Sequence, residues 1–181
     1  MKNAKLIRLK TLCLILLAAA FLLPPDAEAQ RRDHLTELEA DLVREAQELD
    51  RRTDVYIKAA ERRILLINGG QLSEKEAEKF GVPKGTKQQL LWDLSKILLE
   101  AIDKIDDAAA RDEKNPLLAK SVHALADASR KFLPQLETFR NQYTDKMEQA
   151  AILSAIEYCN QVIEASTKVA RPEEKKKKKS D

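Results

Sequence analysis

The chain has 181 residues, of which 44% are apolar, 34% charged and only 4% aromatic, with four glycines, six prolines and two cysteines. Thirty-two Lys and Arg oppose 30 Asp and Glu, a formal net charge of +2. These figures fit one modest domain, exclude wholesale disorder and a disulfide-dense scaffold, and argue against sheet-rich folds built on many tight glycine turns.

The first thirty residues read as an export address. Lys2, Lys5, Arg8 and Lys10 form a positive stretch without an acid, and Leu12 to Leu23 is uncharged and almost wholly apolar. Pro24-Pro25-Asp26 then stops a helix, and Ala27-Glu28-Ala29 supplies small residues around a cleavage point before Gln30. That order predicts a secretory signal peptide over 1–29 and a mature chain, 30–181, in a periplasmic or extracellular space. The rival is an uncleaved anchor, but twelve residues rise only about 18 Å as a helix against roughly 30 Å of hydrocarbon. Lys10-Thr11-Leu12 ahead of Cys13 lacks the small residues of a lipoprotein site. No later window reaches transmembrane length, so no transmembrane segment is expected in the mature chain.

Removing the signal takes away four basic and two acidic residues and leaves 28 of each. The basic excess belongs to the address, and specific nucleic-acid binding loses its electrostatic footing. Only Cys159 survives, so no intrachain disulfide can form, and a buried thiol is expected.

In the mature chain, Thr36 with Glu39 three residues on matches a capping box. Leu35, Leu38, Leu42, Ala46, Leu49, Tyr56, Ala60, Ile64 and Ile67 then recur at helical spacing, predicting one long helix of about 50 Å that ends at Asn68-Gly69-Gly70. Ser73 and Glu76 repeat the capping box and open a short helix to about Phe80, with Phe80 and Val82 expected to pin it over one end of the bundle. Gly81, Pro83 and Gly85 stop it, and they lack the spacing of a phosphate loop.

Lys87 to Asp112 carries a clean apolar face through Leu90, Leu94, Leu98, Ile102 and Ile105. Trp92 lies beside that stripe, as a boundary packer or a recognition residue. Asn115-Pro116 caps and starts the next helix. Pro134 either kinks it or begins a new one, and the stripe resumes through Phe139, Tyr143, Met147 and Leu153 to an end near Thr167 or Ala170. After Pro172 come Lys175, Lys176, Lys177, Lys178 and Lys179, a run expected to be disordered. It serves either to adhere to an anionic envelope component or to solubilise the chain.

Tests for chemistry fail. His34 and His123 are the only histidines, and paired Glu-x-x-His elements and a Cys-x-x-Cys-His site are absent. Asp103, Asp106 and Asp107 read as a solvated face rather than a metal shell. Ser121 and Ser129 are poorly aligned with His123 for nucleophilic work. No catalytic residue, metal ligand or cofactor is singled out.

The expected fold is all-α: an antiparallel bundle of three to four main helices with a short connecting helix behind the signal peptide, in segments 1–29, 30–171 and 172–181. The unequal helix lengths leave a homodimer open. The expected function is that of an exported, non-enzymatic module binding a protein or anionic envelope component, with Trp92 and the five lysines as the interaction surface. The other reading is a small-ligand or metal-binding bundle, enzymatic or not, with a polar cavity near His123, Tyr143 or Tyr158.

Overall fold

The structure, a computed structural model, describes residues 33–172. The expected signal peptide and the run Lys175 to Lys179 lie outside the described residues. Among the described residues there are six α-helices and no strand: α1 (Glu37–Glu45), α2 (Leu49–Ile67), α3 (Glu74–Phe80), α4 (Lys87–Arg111), α5 (Pro116–Gln142) and α6 (Lys146–Thr167). None is long and apolar enough to cross a membrane.

Local chemistry sets most of the starts. Thr36, Ser73 and Thr86 each accept from the backbone three residues on, where Glu39, Glu76 and Gln89 reciprocate. Asn115 caps α5 with Pro116 at its first position, where the missing N–H costs no hydrogen bond. At the end of α2, Gly69 takes φ +80°. Its N–H bonds to the Leu66 carbonyl while Gly70 bonds to Leu65, a Schellman closure.

The single long first helix is corrected to two. The chain leaves the helix at Ala46 and re-enters at Leu49, with Ala46 and Glu48 both extended. The physical cause is distant in sequence. Glu39 sits on the apolar side of α1 and meets Arg62 and Arg63 of α2. A straight helix would hold residues 39 and 63 about 36 Å apart. Folding α1 back on α2 joins them, and the Arg52 guanidinium steadies the corner by donating to the Ala46 carbonyl at 2.9 and 3.2 Å.

The second correction lies further on. α5 runs through Pro134, which is exposed, and the carbonyl it leaves without an N–H partner belongs to Arg130, also exposed. The break comes instead at Tyr143-Thr144-Asp145, where the Asp145 carboxylate accepts from Met147 (2.8 Å) and Glu148 (3.2 Å). The new helix turns Ala151, Ile152, Ala155 and Cys159 inward, while Met147 and Leu153 are exposed. Pro134→Ala restores the missing donor on a solvent face. It is expected to raise stability by about 1–3 kcal/mol in urea unfolding; a loss would mean the proline shapes a bend that the packing needs.

The four long helices form the bundle. α2 and α4 are one antiparallel hairpin, the start of α2 at Leu49 and Arg52 lying beside Lys104 and Arg111 near the end of α4. α5 and α6 are the other, with Arg130 reaching Ser166 and Gln149 returning to the Arg140 carbonyl. Across the seam neighbours run parallel: Asp50 meets Lys120 and Asn68 meets Gln135 between α2 and α5, and Gln88 meets Asp145 at the starts of α4 and α6. α4 and α5 are diagonal and touch little. All four contribute to one core, including Ala59, Leu94, Ile97, Leu125, Leu136 and Ile152. With the first helix split, the long elements span 19 to 27 residues.

Of the two residues expected to pin α3, only Phe80 does so. Phe80 is buried under the Arg62 guanidinium, 4.0 Å from its ring centroid, while Val82 is exposed. Gly81 ends α3 at φ +71°, and a Cβ there would lie 3.1 Å from Thr36. That close approach lets the Thr36 hydroxyl donate to the Phe80 carbonyl.

Candidate functional site

Two linked polar clusters tie α1 to the bundle. In the first, Glu39 is fully buried, and one carboxylate oxygen accepts from Arg62 Nε (2.9 Å) and a terminal nitrogen (2.6 Å), and from Arg63 at 2.5 Å. Its other oxygen accepts the Thr36 N–H at 2.9 Å. Arg63 also donates to the carbonyls of His34 (2.6 Å) and Ala59 (3.3 Å), leaving only its buried Nε without a partner. Burial pushes the Glu39 carboxyl up, but Arg63, the Thr36 N–H and Arg62 together hold it below the ordinary glutamate value.

The second cluster joins three elements. His34 Nε2 lies 2.6 Å from one Glu100 oxygen, and the Tyr56 hydroxyl donates to the other at 2.8 Å. The His34 contact is the main influence holding the Glu100 carboxyl low, against burial and with help from Tyr56. Burial, then the Glu100 carboxylate, pushes the Tyr56 hydroxyl well up. An imidazole oriented by a carboxylate is half of a nucleophile-activating array. The other half is missing: the second ring nitrogen faces Asp33 at 3.7 Å, and among the described residues no hydroxyl or thiol bonds to His34. Cys159, the one thiol described, is buried between α5 and α6, and burial pushes it up to about 11. The arrangement holds α1 in place and offers no attacking group.

The other sequence candidates stay apart. His123 Nε2 lies 2.9 Å from the Val169 carbonyl, which can only accept, so that nitrogen carries the proton. The buried hydroxyls of Ser121 and Ser129 make no hydrogen bond to His123. Tyr143 packs edge-on to Phe139 at 6.0 Å. Asp103, Asp106 and Asp107 gather no further ligand; burial and its two neighbours push the Asp106 carboxyl up. Among the described residues no group of three or more His, Cys, Asp or Glu is placed to hold a metal.

Trp92 is 49% exposed on the face of α4 turned from the core, with the Lys96 ammonium 4.8 Å from its ring centroid. The last described residues are held elsewhere. After α6 the chain turns back along α5, where Arg171 reaches both oxygens of Asp127 at 2.8 and 3.1 Å. Arg171 is thus tied to α5, diagonal to the helix that carries Trp92, while the lysine run lies outside the described residues.

Among the described residues, the two larger open clefts flank the bundle. One of about 540 Å³ lies between α2 and α3, with Lys58, Glu61, Arg62, Glu76 and Lys79 on its walls. The other, about 430 Å³, lies where α2 begins and α4 ends. Both mix charges of each sign, so neither selects a ligand by charge. Sequence reading finds Glu39 only as a helix cap and passes over its buried pairing with Arg62 and Arg63, as it does Glu100. The available signal was an acid and an arginine on apolar stripes, each calling for a buried partner. No protein-family model matches the chain, and neither the curated proteins nor the solved structures contain a match to it.

Proposed function

We propose that this chain is an exported, non-enzymatic helical module that takes a protein partner on the outward face of α4 around Trp92. The observation that carries the reading is the half-exposed indole with its cationic neighbour. A large aromatic on a rigid helix, beside an ammonium, suits a partner that offers an apolar slot flanked by a carboxylate. The closed bonding of Glu39, Glu100 and His34 supports a binding role over a catalytic one. Export rests on the tripartite order of residues 1–29.

Trp92 is the single tryptophan, so its fluorescence reports this face alone. The full-length chain produced with its own N-terminus should be recovered outside the cytoplasm, beginning at Gln30. Envelope fractions should then supply a partner that shields Trp92 from a soluble quencher. Trp92→Ala should weaken that partner's binding by about tenfold or more, while a chain ending at Arg171 should retain it. Equal binding by Trp92→Ala with loss on truncation would move the interaction to the lysine run. A chain retained in the cytoplasm at full length would remove the export half.

A further inference from the structure

We propose that this chain forms a reciprocal swapped dimer. α1 of each copy runs on from its own α2 as one helix and docks on the α2 of a second copy. The inference is independent of the Trp92 reading and rests on the corner at Ala46–Glu48.

That corner holds no helix-breaking residue. Ala46, Gln47 and Glu48 are good helix formers, with neither glycine nor proline among them, yet Ala46 and Glu48 are extended. The inward-facing residues are also in phase across it. Leu35, Glu39, Leu42, Ala46, Leu49 and Thr53 follow in alternating steps of four and three, and the series continues unbroken to Ile67. Every member is buried or half-buried. Two separate helices joined by a turn have no need to keep one heptad frame through the turn. A helix that is also used unbroken keeps it.

Opening the corner would form the missing backbone bonds of a continuous helix. It would give up the Arg52 and Gln47 side-chain bonds to the Ala46 and Arg44 carbonyls. It would also carry Glu39 about 36 Å from its own Arg63. Three buried charges cannot be left apart in one chain. They can be re-paired in full if Glu39 of one copy enters between Arg62 and Arg63 of another, and Thr36 meets Phe80 there as it does now. The occupant of the vacated surface is therefore α1 itself, supplied by a second copy, and exchange of an identical element of this kind closes with two-fold symmetry.

The test refolds the full-length chain from urea at about 200 μM and about 2 μM, then brings both to the same concentration for sedimentation. A species of twice the chain mass is expected after concentrated refolding only, persisting for hours on dilution because exchange requires the corner to reopen. Gln47→Pro strongly disfavours a continuous helix, and Ala46 before it already has the extended backbone that a following proline demands. This variant should stay monomeric at unchanged helix content. Should it fail to fold, the double change Gln47→Gly with Glu48→Gly provides the same test through low helix propensity. Absence of a dimer in the native sequence, or a dimer undiminished in the folded hinge variant, would overturn the proposal.

Discussion

Glu39→Gln is expected to lower the free energy of unfolding by about 3–5 kcal/mol, because it strips two buried guanidinium groups of their counter-charge. Glu39, Arg62 and Arg63 are all almost wholly buried, so solvent screens little of the loss. The cost should belong to the unpaired charges rather than to the position. Glu39→Leu combined with Arg62→Met and Arg63→Met should recover most of the stability in urea unfolding. Acid should reproduce the single change. The folded carboxyl titrates below its ordinary value of 4.5, so its contribution is complete above that pH and is lost as the pH falls through the folded value. Glu100 is shifted in the same direction and adds to the same limb. A plot of stability against pH should therefore fall less steeply below pH 4.5 in Glu39→Gln than in the native chain. Parallel curves would show that the cluster contributes nothing to acid sensitivity.

Phe139→Ala should cost about 3–5 kcal/mol, whereas Met147→Ala, eight residues on, should change stability by no more than about 0.5 kcal/mol. Phe139 is buried and packs edge-on to Tyr143. Met147 is 59% exposed in the first turn of α6. A single helix continuing past Tyr143 would keep both on one stripe and make both changes costly. Urea unfolding of the two variants thus reads directly where the chain breaks. Comparable losses would restore a helix through Asp145, and the Asp145 cap would lose its role.

Those two sites also mark where sequence reading succeeds and stops. Starts governed by neighbours were legible: Thr36 with Glu39, Ser73 with Glu76 and Asn115-Pro116 lie where expected. The all-α bundle followed from stripes at helical spacing. Thr86 with Gln89 obeys the same grammar and was passed over, as was Asp145 as a cap. Pro134 left a kinked helix and a new start both open, and the continuous helix forms because on a solvent face the unpaired carbonyl can meet water. The corner at Ala46–Glu48 had no local signature. It is set by Glu39, Arg62 and Arg63, which are 23 and 24 residues apart along the chain. The second cluster was further out of reach, since His34 and Tyr56 meet Glu100 across 66 and 44 residues. Long-range pairings of this kind appear only once the helices have been placed.

Leu38 and Leu65 give the most direct access to the central claim, that α1 folds back on its own α2 in the monomer. Both are exposed, at 41% and 37%, one beside Glu39 and the other two residues past Arg63. Spin labels on cysteines at these positions, in chain refolded at low concentration, report the separation within one molecule. Helices packed side by side, with axes about 8–10 Å apart, predict a narrow distribution below about 25 Å. A distribution centred near 40 Å, the rise of an unbroken helix over that interval, would contradict the fold as described.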